Sequence, residues 1–244
     1  MRYKITVEYF GKNYSGWQTQ KNGIGIQHVL ESALSELLAQ PVKVVGSGRT
    51  DAGVHAMGQV AHFDAQTPIP PEKIAFAANT VLPEDIKIKS CEPAPPDFHA
   101  QYGAKRKTYL YKTYVSRSAS PLRDSHYAQI IPPVDIEAMR RSAKALIGKH
   151  DFIAFSASGR TVKTTVREIY RLDITENGDE IYFEIEGNGF LYNMVRIIVG
   201  TLVYVGKGKL PESITEEMLA SGSRVTGGKT FPPQGLYLKD VTYQ

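Results

Sequence analysis

Residues 46–56 carry the side chains best suited to chemistry. They read Gly-Ser-Gly-Arg-Thr-Asp-Ala-Gly-Val-His-Ala, so the guanidinium of Arg49 and the carboxylate of Asp51 lie two positions apart among three glycines. Glycine lets the backbone take positive φ and approach a ligand closely. The segment is therefore suited to presenting one ionised carboxylate to a substrate. The alternative is an Asp-Ala-Gly turn in which the carboxylate only caps backbone amides.

A second charged side chain occupies an unusual setting. Arg196 lies within an apolar segment, with Val195 before it and Ile197 after it, that predicts a helix over residues 190–205. Its guanidinium must either extend past its own apolar stem to water or contact an anion. A carboxylate on the glycine-rich segment would be a suitable partner, because a neighbouring guanidinium lowers the pKa of a carboxyl group and fixes its oxygens.

Composition indicates an ordinary globular protein. The chain has 244 residues, of which 42% are hydrophobic and 22% charged. No stretch approaches the roughly 18 consecutive apolar residues of a membrane span, so we expect a cytoplasmic protein that does not enter a membrane. Cys91 is the sole cysteine, which excludes an intrachain disulfide, and the six histidines lack the spacing of zinc ligands. We therefore expect no metal.

Positive charge is concentrated in the second half of the chain. Residues 1–104 contain nine Lys and Arg against ten Asp and Glu, whereas residues 105–244 contain twenty against fifteen. Basic residues interleaved with tyrosines are the types that phosphate contact and base stacking need. The alternative for each basic cluster is a solvated surface. Only together do the clusters favour a polyanionic partner, and its candidate contacts are Lys105, Lys107, Arg140, Arg141 and Lys144.

Hydrophobic periodicity predicts the same order of elements in both halves. In the first half, strands are expected near residues 3–9, 42–45, 59–64 and 86–91, and helices near 26–38 and 70–81. Trp17, in the first loop, is expected to be a core anchor. In the second half, strands are expected at 108–115, 162–174, 181–185 and 236–241. Helices are expected at 135–147, capped by Asp135, and at 190–205.

Each half therefore follows a β-α-β-β-α-β order, and proline-rich residues 92–96 connect the halves. This order is typical of a split βαβ unit, as in ferredoxin-like and RRM-like folds. We predict an α+β protein with domains at 1–104 and 105–244. Their sheets are expected to join into a mixed antiparallel sheet around a central active-site cleft. Both the 46–56 loop and the helix that contains Arg196 are expected to reach that cleft.

A series of ordered motifs carries a family resemblance. Residues 46–56 closely resemble the signature of the tRNA pseudouridine synthases that act on the anticodon stem-loop. The similarity runs nearly from end to end, with two departures: Phe10 stands where the family often has Asp, and Gln101 where it often has Arg. The other matching motifs are Gly-Trp-Gln-Thr-Gln (16–20), Gly-Gln-Val-Ala-His-Phe (58–63), Phe-His-Ala (98–100), Lys-Thr-Tyr-Leu-Tyr (107–111), His-Asp-Phe (150–152), Gly-Phe-Leu-Tyr-Asn-Met-Val-Arg (189–196) and Gly-Leu-Tyr-Leu (235–238).

The resemblance implies a reaction and roles for four residues. Uridines 38, 39 and 40 of tRNA would be isomerised to pseudouridine without a cofactor, by a homodimer that binds the anticodon stem-loop. Asp51 would act at ribose C1′ after the base is flipped out. Arg49 would fill the vacated space, Tyr109 would stack on the uracil and Arg196 would hold Asp51. The alternative for Tyr109 is a strand residue packed in the core.

Two other functional classes remain open from the residues alone. A non-catalytic RNA-binding module would explain the basic and aromatic surface, but it would not require an Arg-Thr-Asp loop together with a buried arginine. An enzyme that binds nucleotide phosphates through the glycines would place a helix N-terminus or Lys-Ser/Thr directly after them, and this sequence has neither there.

Overall fold

The computed structural model describes residues 1–19, 23–157 and 163–244. The chain forms two compact units, the first made of Met1–Lys105 with Tyr237–Gln244 and the second of Arg106–Leu236. Helices and mostly antiparallel strands are mixed along the chain, which confirms the predicted α+β class.

Unit 1 has the predicted β-α-β-β-α-β order. Strand β1 (Arg2–Tyr9) pairs antiparallel with β3 (His55–Asp64) on one side and with β4 (Ile86–Ala94) on the other. The short β2 (Val45–Gly46) pairs antiparallel with β3 at Val45↔His62. A final strand, β10 (Leu236–Thr242), runs parallel to the start of β3 at Tyr237↔His55. The elements are β1 (Arg2–Tyr9), α1 (Ile26–Leu38), β2 (Val45–Gly46), β3 (His55–Asp64), α2 (Pro71–Val81), β4 (Ile86–Ala94) and β10 (Leu236–Thr242).

Most of unit 1 forms as its sequence pattern predicts, but β2 covers Val45–Gly46 rather than 42–45, and β3 begins at His55 rather than at 59. Alternate residues of β1 are buried, and one stripe of α1 that includes Ile26 and Leu34 is buried as well. Helix α1 ends at Leu38 because Ala39 takes the left-handed conformation, with φ 50°. Helix α2 begins with Pro71, which suits a first helical position because its missing N–H has no intrahelical partner there.

Unit 2 is built on an antiparallel sheet of four strands, in the order β5 (Arg106–Val115), β9 (Glu180–Gly187), β8 (Val166–Asn177) and β7 (Gly148–Asp151). The hairpin between β8 and β9 turns at Gly178 and Asp179, one residue later than the predicted Asn177-Gly178, and Gly178 has φ 63°. The short β6 runs parallel to the end of β5. The elements are β5 (Arg106–Val115), β6 (Ala128–Ile130), α3 (Ile136–Ala143), β7 (Gly148–Asp151), β8 (Val166–Asn177), β9 (Glu180–Gly187), α4 (Met194–Gly206) and α5 (Ile214–Ser221).

Several elements of unit 2 differ from the prediction. β6, β7 and α5 were not predicted, since strands of three or four residues show no clear alternation and a helix of eight residues shows little periodicity. Helix α3 ends at Ala143 and passes into a 3₁₀ turn. Helix α4 begins at Met194 rather than at 190, because Asn193 has φ 60°. Val162, the predicted start of the third strand, and Gln20 lie outside the described residues.

The last strand of the chain groups mainly with unit 1. The predicted division placed residues 105–244 together, whereas the observed packing groups Tyr237–Gln244 with the first unit. Pairing of Tyr237 and Leu238 with the start of β3 supplies the backbone hydrogen bonds that hold this segment there.

No helix in the described ranges is long and apolar enough to cross a membrane.

Asp135 caps α3 as predicted, because its Oδ1 accepts a hydrogen bond from Ala138 N at 2.9 Å. We expect Asp135→Ala to lower the free energy of unfolding by about 1 kcal/mol, the usual effect of losing an N-cap. Asp135→Asn should lose much less, because an amide oxygen accepts the same bond. Urea denaturation of the three proteins measures both effects, and an equal loss in the two variants would contradict the capping role.

Candidate active site

The loop between β2 and β3 leaves the sheet of unit 1 at one edge of β3. β1 occupies the other edge, while β2 pairs near Ala61 and His62 and β10 pairs near His55 and Ala56. Residues 47–54 therefore leave the edge between two short paired stretches. Strands on both sides of the loop fix its two ends.

Buried polar contacts hold the first part of this loop. Ser47 N donates to Val60 O at 2.7 Å, and Ser47 Oγ donates to Gln59 Oε1 at 2.6 Å. Gln59 Nε2 in turn donates to Gly48 O at 3.0 Å. Ser47 and Gln59 are fully buried, so these bonds are shielded from water. The backbone up to Gly48 is thus fixed to β3.

Thr50, the residue before Asp51, is held from two sides. Its Oγ1 shares a hydrogen bond of 2.7 Å with the buried hydroxyl of Tyr9, and its carbonyl accepts from Trp17 N at 3.1 Å. Burial raises the pKa of Tyr9, so its hydroxyl stays protonated at neutral pH. These contacts fix the backbone from which the Asp51 side chain projects.

An Asp-Ala-Gly turn follows, as the alternative interpretation required. Its closing bond runs from Val54 N to the backbone carbonyl of Asp51, at 3.1 Å, and Gly53 supplies the positive φ of 79°. Asp51 is half-buried, while Arg49 is exposed at the start of the turn. The turn and a presented carboxylate are therefore compatible, because the backbone oxygen closes the turn.

The glycines of this region mainly allow neighbouring groups to approach the backbone closely. Of the three in the loop signature, Gly53 alone has positive φ. A Cβ on Gly46 would lie 2.5 Å from Cε2 of Trp17, and one on Gly16 would lie 2.3 Å from Thr50 O. Trp17 is only 3% exposed, which confirms the predicted core anchor. Its indole ring packs where a side chain at position 46 would otherwise lie.

His55 closes the loop with a fixed orientation. Its Nδ1 accepts from Gly11 N at 2.9 Å, so this nitrogen carries no proton. Phe10 stacks on the imidazole with ring centroids 4.5 Å apart, and Tyr237 packs nearby at 4.7 Å. Phe10, one of the two departures from the family pattern, thus packs against the imidazole ring of His55 at the end of the loop.

In unit 2, the predicted site residues lie along one face of β5. Lys107, Tyr109 and Tyr111 alternate along the strand and therefore share a face. Tyr109 is 9% exposed and pairs with Ile185 on β9. Its ring meets Phe190 edge to face, with centroids 5.1 Å apart. Tyr109 is thus packed within the unit, with Phe190 at its side.

Arg196 is one of the two residues of α4 that are not buried, the other being Tyr204. Its Nε donates to Phe231 O at 2.7 Å, and its Nη1 donates to Asn193 Oδ1 at 2.7 Å. Phe231 N donates back to Arg196 O at 3.0 Å. The guanidinium is therefore oriented by two acceptors of its own unit and is not simply extended into water.

Two side chains on this face, those of Tyr111 and Lys107, have shifted pKa values. The hydroxyl of Tyr111 donates to Pro232 O, and burial raises the pKa of Tyr111 although the charge of Arg196 opposes this. Burial, helped by the charge of Arg167, lowers the pKa of Lys107 to about 8. The face thus carries three cations, Lys107, Arg167 and Arg196, at partly desolvated positions.

The other predicted RNA contacts lie on the surface. Arg140 pairs with Glu137 and, at 3.8 Å, with Glu176. Arg141 forms two bonds of 2.7 Å to Glu212. Exposed ion pairs contribute little to stability, so a phosphate can replace these carboxylates at small cost. Lys144 is exposed in the turn that follows α3, and Lys105 is exposed in unit 1.

The structure thus brings Arg49 and Asp51 together on one loop of unit 1, and Lys107, Tyr109 and Arg196 together in unit 2. Sequence interpretation did not identify the residues that position them, notably Tyr9, Asn193 and Phe231. Asn before an apolar helical run is a usable signal, because Asn tolerates the left-handed conformation. In the described ranges no group of three or more His, Cys, Asp or Glu is arranged to hold a metal ion.

Comparison with known proteins agrees with the resemblance seen in the motifs. A family model described as tRNA pseudouridine synthase matches residues 5–103 and 142–244. A relative from Ruminiclostridium cellulolyticum called tRNA pseudouridine synthase A is 48% identical over 241 residues, covering 98% of each chain. Proteins of the same name from Thermoanaerobacter sp. strain X514 and Exiguobacterium sp. strain AT1b are 48% and 45% identical. The first alignment covers 98% of both chains, and the second covers 100% of this chain and 98% of the relative.

These matches span nearly the whole chain and include both the 46–56 loop and the segment around Arg196. They also decide between the classes that the residues left open, because neither a non-catalytic RNA-binding module nor a nucleotide-phosphate enzyme is a pseudouridine synthase. The chain belongs to the tRNA pseudouridine synthase family, whose enzymes isomerise uridine to pseudouridine in tRNA.

Proposed function

We propose that this enzyme modifies uridines 38, 39 and 40 of the tRNA anticodon stem-loop and uses Asp51 at the ribose. The observation that carries the proposal is the fixed backbone beneath Asp51, where Thr50 is bound through both its hydroxyl and its carbonyl. A carboxylate held on a rigid backbone needs little reorganisation to reach a reacting carbon.

The reaction exchanges one bond for another within the nucleoside. The bond between C1′ and N1 breaks as Asp51 attacks C1′ or stabilises its positive charge, and uracil leaves with the electron pair. The freed base rotates, C5 bonds to C1′, and the proton on C5 is then lost while N1 gains one. Atoms and electrons balance without an oxidant or reductant, so the step needs no redox cofactor.

A stacked uridine cannot reach a carboxylate on a protein loop, so the base has to leave the RNA stack. Arg49 suits the space that the base vacates. It is exposed, it lies two residues before Asp51, and its guanidinium can both stack on a neighbouring base and bind a phosphate.

Tyr109 and Arg196 are assigned to the base and to the carboxylate. The Tyr109 ring is kept in place by Phe190, which leaves little freedom to be lost when a uracil stacks on it. Arg196 is oriented by Asn193 and Phe231, so its charge is directed before substrate binds. We assign it to holding Asp51 in the ionised form.

We assign the basic residues to tRNA binding. We infer that the active form is a homodimer. Lys105, Lys107, Arg140, Arg141 and Lys144 would neutralise backbone phosphates, which carry most of the sequence-independent affinity for RNA. Two copies would let one tRNA contact the basic residues of both subunits.

Mapping the product tests the proposed positions. The wild-type chain is incubated with transcripts of a tRNA that has uridine at 38, 39 and 40, and with transcripts in which each is replaced by cytidine. Carbodiimide treatment and primer extension then locate pseudouridine. We expect stops at those three positions, each abolished by its own replacement. Pseudouridine only elsewhere in the tRNA would contradict the assignment.

The role of Asp51 predicts a loss of chemistry without a loss of binding. Asp51→Asn and Asp51→Ala should lower the single-turnover rate by at least about 1000-fold, because the nucleophile or its charge is absent. The dissociation constant for tRNA should change little. Asp97→Asn, an exposed carboxylate of the same unit, is the matched control. Either Asp51 variant retaining a rate within tenfold of wild type would remove Asp51 from the mechanism.

Arg196→Ala should lower the single-turnover rate by about 100-fold or more, because the charge that orients the carboxylate is lost. Arg196→Lys should rescue little, since one ammonium cannot reproduce two directed N–H donors. Arg224→Ala is a matched control, because Arg224 is a half-buried arginine that donates to Gly228 O at 2.6 Å in the same unit. If Arg196→Ala lowered only the urea midpoint, its role would be structural.

The basic surface predicts a salt-dependent affinity. Replacing Arg140, Arg141 and Lys144 together by Ala should flatten the log-log slope of affinity against salt by about 0.7 to 0.9 for each phosphate that the variant no longer neutralises. The rate at saturating enzyme should stay unchanged. Arg123→Ala, which breaks the surface pair with Asp179, is the control. An unchanged slope in the triple variant would mean that these residues do not contact the RNA.

A further inference from the structure

Two cations, Lys107 and Arg167, lie on the face of unit 2 that carries Tyr109. Lys107 on β5 lies opposite Gly187 on β9, and Gly187 lies opposite Ile169 on β8. Arg167 precedes Ile169 by two residues and so shares its face. Two strand spacings separate β5 from β8 by about 10 Å, a distance that a lysine and an arginine side chain span together. The charge of Arg167 acts on Lys107 across this gap.

Glycines allow close packing beside the two cations. A Cβ on Gly187 would lie 2.7 Å from Glu168 O and 3.3 Å from the Phe190 ring, and a Cβ on Gly189 would lie 3.7 Å from Arg167 Nε. Phe190, which contacts Tyr109, thus packs against Gly187, and Arg167 packs beside Gly189. The cations and the proposed base-stacking ring line one continuous part of the face.

The carboxylates of Glu184 and Glu186 on β9 lie on the opposite face of the sheet. Glu186 pairs with Arg106 at 2.8 Å, and Glu184 pairs with Arg171. Arg167 donates instead to the carbonyls of Thr164 and Val166, through Nη1. Burial lowers the pKa of both Lys107 and Arg167. Two like charges held close together at a partly desolvated position favour an added anion.

We propose that Lys107 and Arg167 form a subsite for the RNA phosphate next to the target uridine. The inference rests on the proposed function, because it takes the uracil to stack on Tyr109. Lys107 lies two residues from Tyr109, about 7 Å along the strand, which is the scale of one nucleotide. The guanidinium of Arg167 suits two phosphate oxygens at once, and Lys107 adds a point charge. This subsite positions the nucleotide and is distinct from the general basic surface of α3.

Single-phosphate neutralisation tests the subsite. Anticodon stem-loop RNAs are made with one methylphosphonate at successive positions around the target. For the wild-type chain we expect the largest increase in dissociation constant, about tenfold, at the phosphate next to the target uridine. In the Lys107→Met, Arg167→Ala double variant, the same RNA should bind no more weakly than the unmodified RNA, since the partner charges are already gone.

Matched controls lie on the opposite face of the same strands. Lys112→Met on β5 and Arg171→Ala on β8 should each retain the full methylphosphonate effect. If the double variant does not fold, the single variants Lys107→Met and Arg167→Ala replace it, and the methylphosphonate effect should shrink in each; an undiminished effect in both would overturn the subsite. Equal losses at every phosphate, or an effect that persists undiminished in the double variant, would overturn the subsite.

The same RNAs separate this inference from the proposed function. Product formed by the wild-type chain on the unmodified RNA tests the function, and the pattern of dissociation constants tests the subsite. Product without the position-dependent loss overturns the subsite alone. Absence of product overturns the proposed function, while the dissociation constants still decide whether Lys107 and Arg167 bind that phosphate.

Discussion

The position of the 46–56 loop depends on the contacts that hold Thr50. Ordering a loop of this length costs backbone entropy at every residue, so its contacts have to compensate. The buried Tyr9 hydroxyl and the Trp17 amide bind the hydroxyl and the carbonyl of Thr50, and Gln59 fixes the loop a few residues earlier. Asp51 follows directly. The position of its side chain is therefore set by groups of β1, of β3 and of the segment after β1.

Unit 2 positions its residues by two different means. Alternation along β5 places Lys107, Tyr109 and Tyr111 on one face without further cost, because any regular strand does so. Arg196 instead needs a special backbone at the start of α4, where left-handed Asn193 supplies its side-chain oxygen. The Phe231 carbonyl completes its orientation. A charged group within a nearly all-apolar helix is thereby given a fixed direction.

Much of this arrangement could be predicted from the sequence. Periodicity located both helices and the strands β1 and β4 of unit 1, and residue type identified the cap at Asp135 and the buried Trp17, because these depend on local sequence. It misplaced β2 and the start of β3. Contacts between distant residues could not be predicted. The bond from Tyr9 to Thr50 spans 41 positions and that from Arg196 to Phe231 spans 35, and no local pattern encodes either. The distant carboxylates of Glu176 and Glu212, which pair with Arg140 and Arg141, could not be predicted for the same reason.

The reaction of this family exchanges the C1′–N1 bond of a tRNA uridine for a C1′–C5 bond. Tritium release measures that exchange directly, because the hydrogen on C5 is lost only when C5 bonds to the sugar. We predict that the purified chain alone, without added cofactor, releases tritium from tRNA carrying uridine labelled at C5, and that the release approaches one equivalent per modified uridine. Intact tRNA binding with no tritium released would contradict this activity.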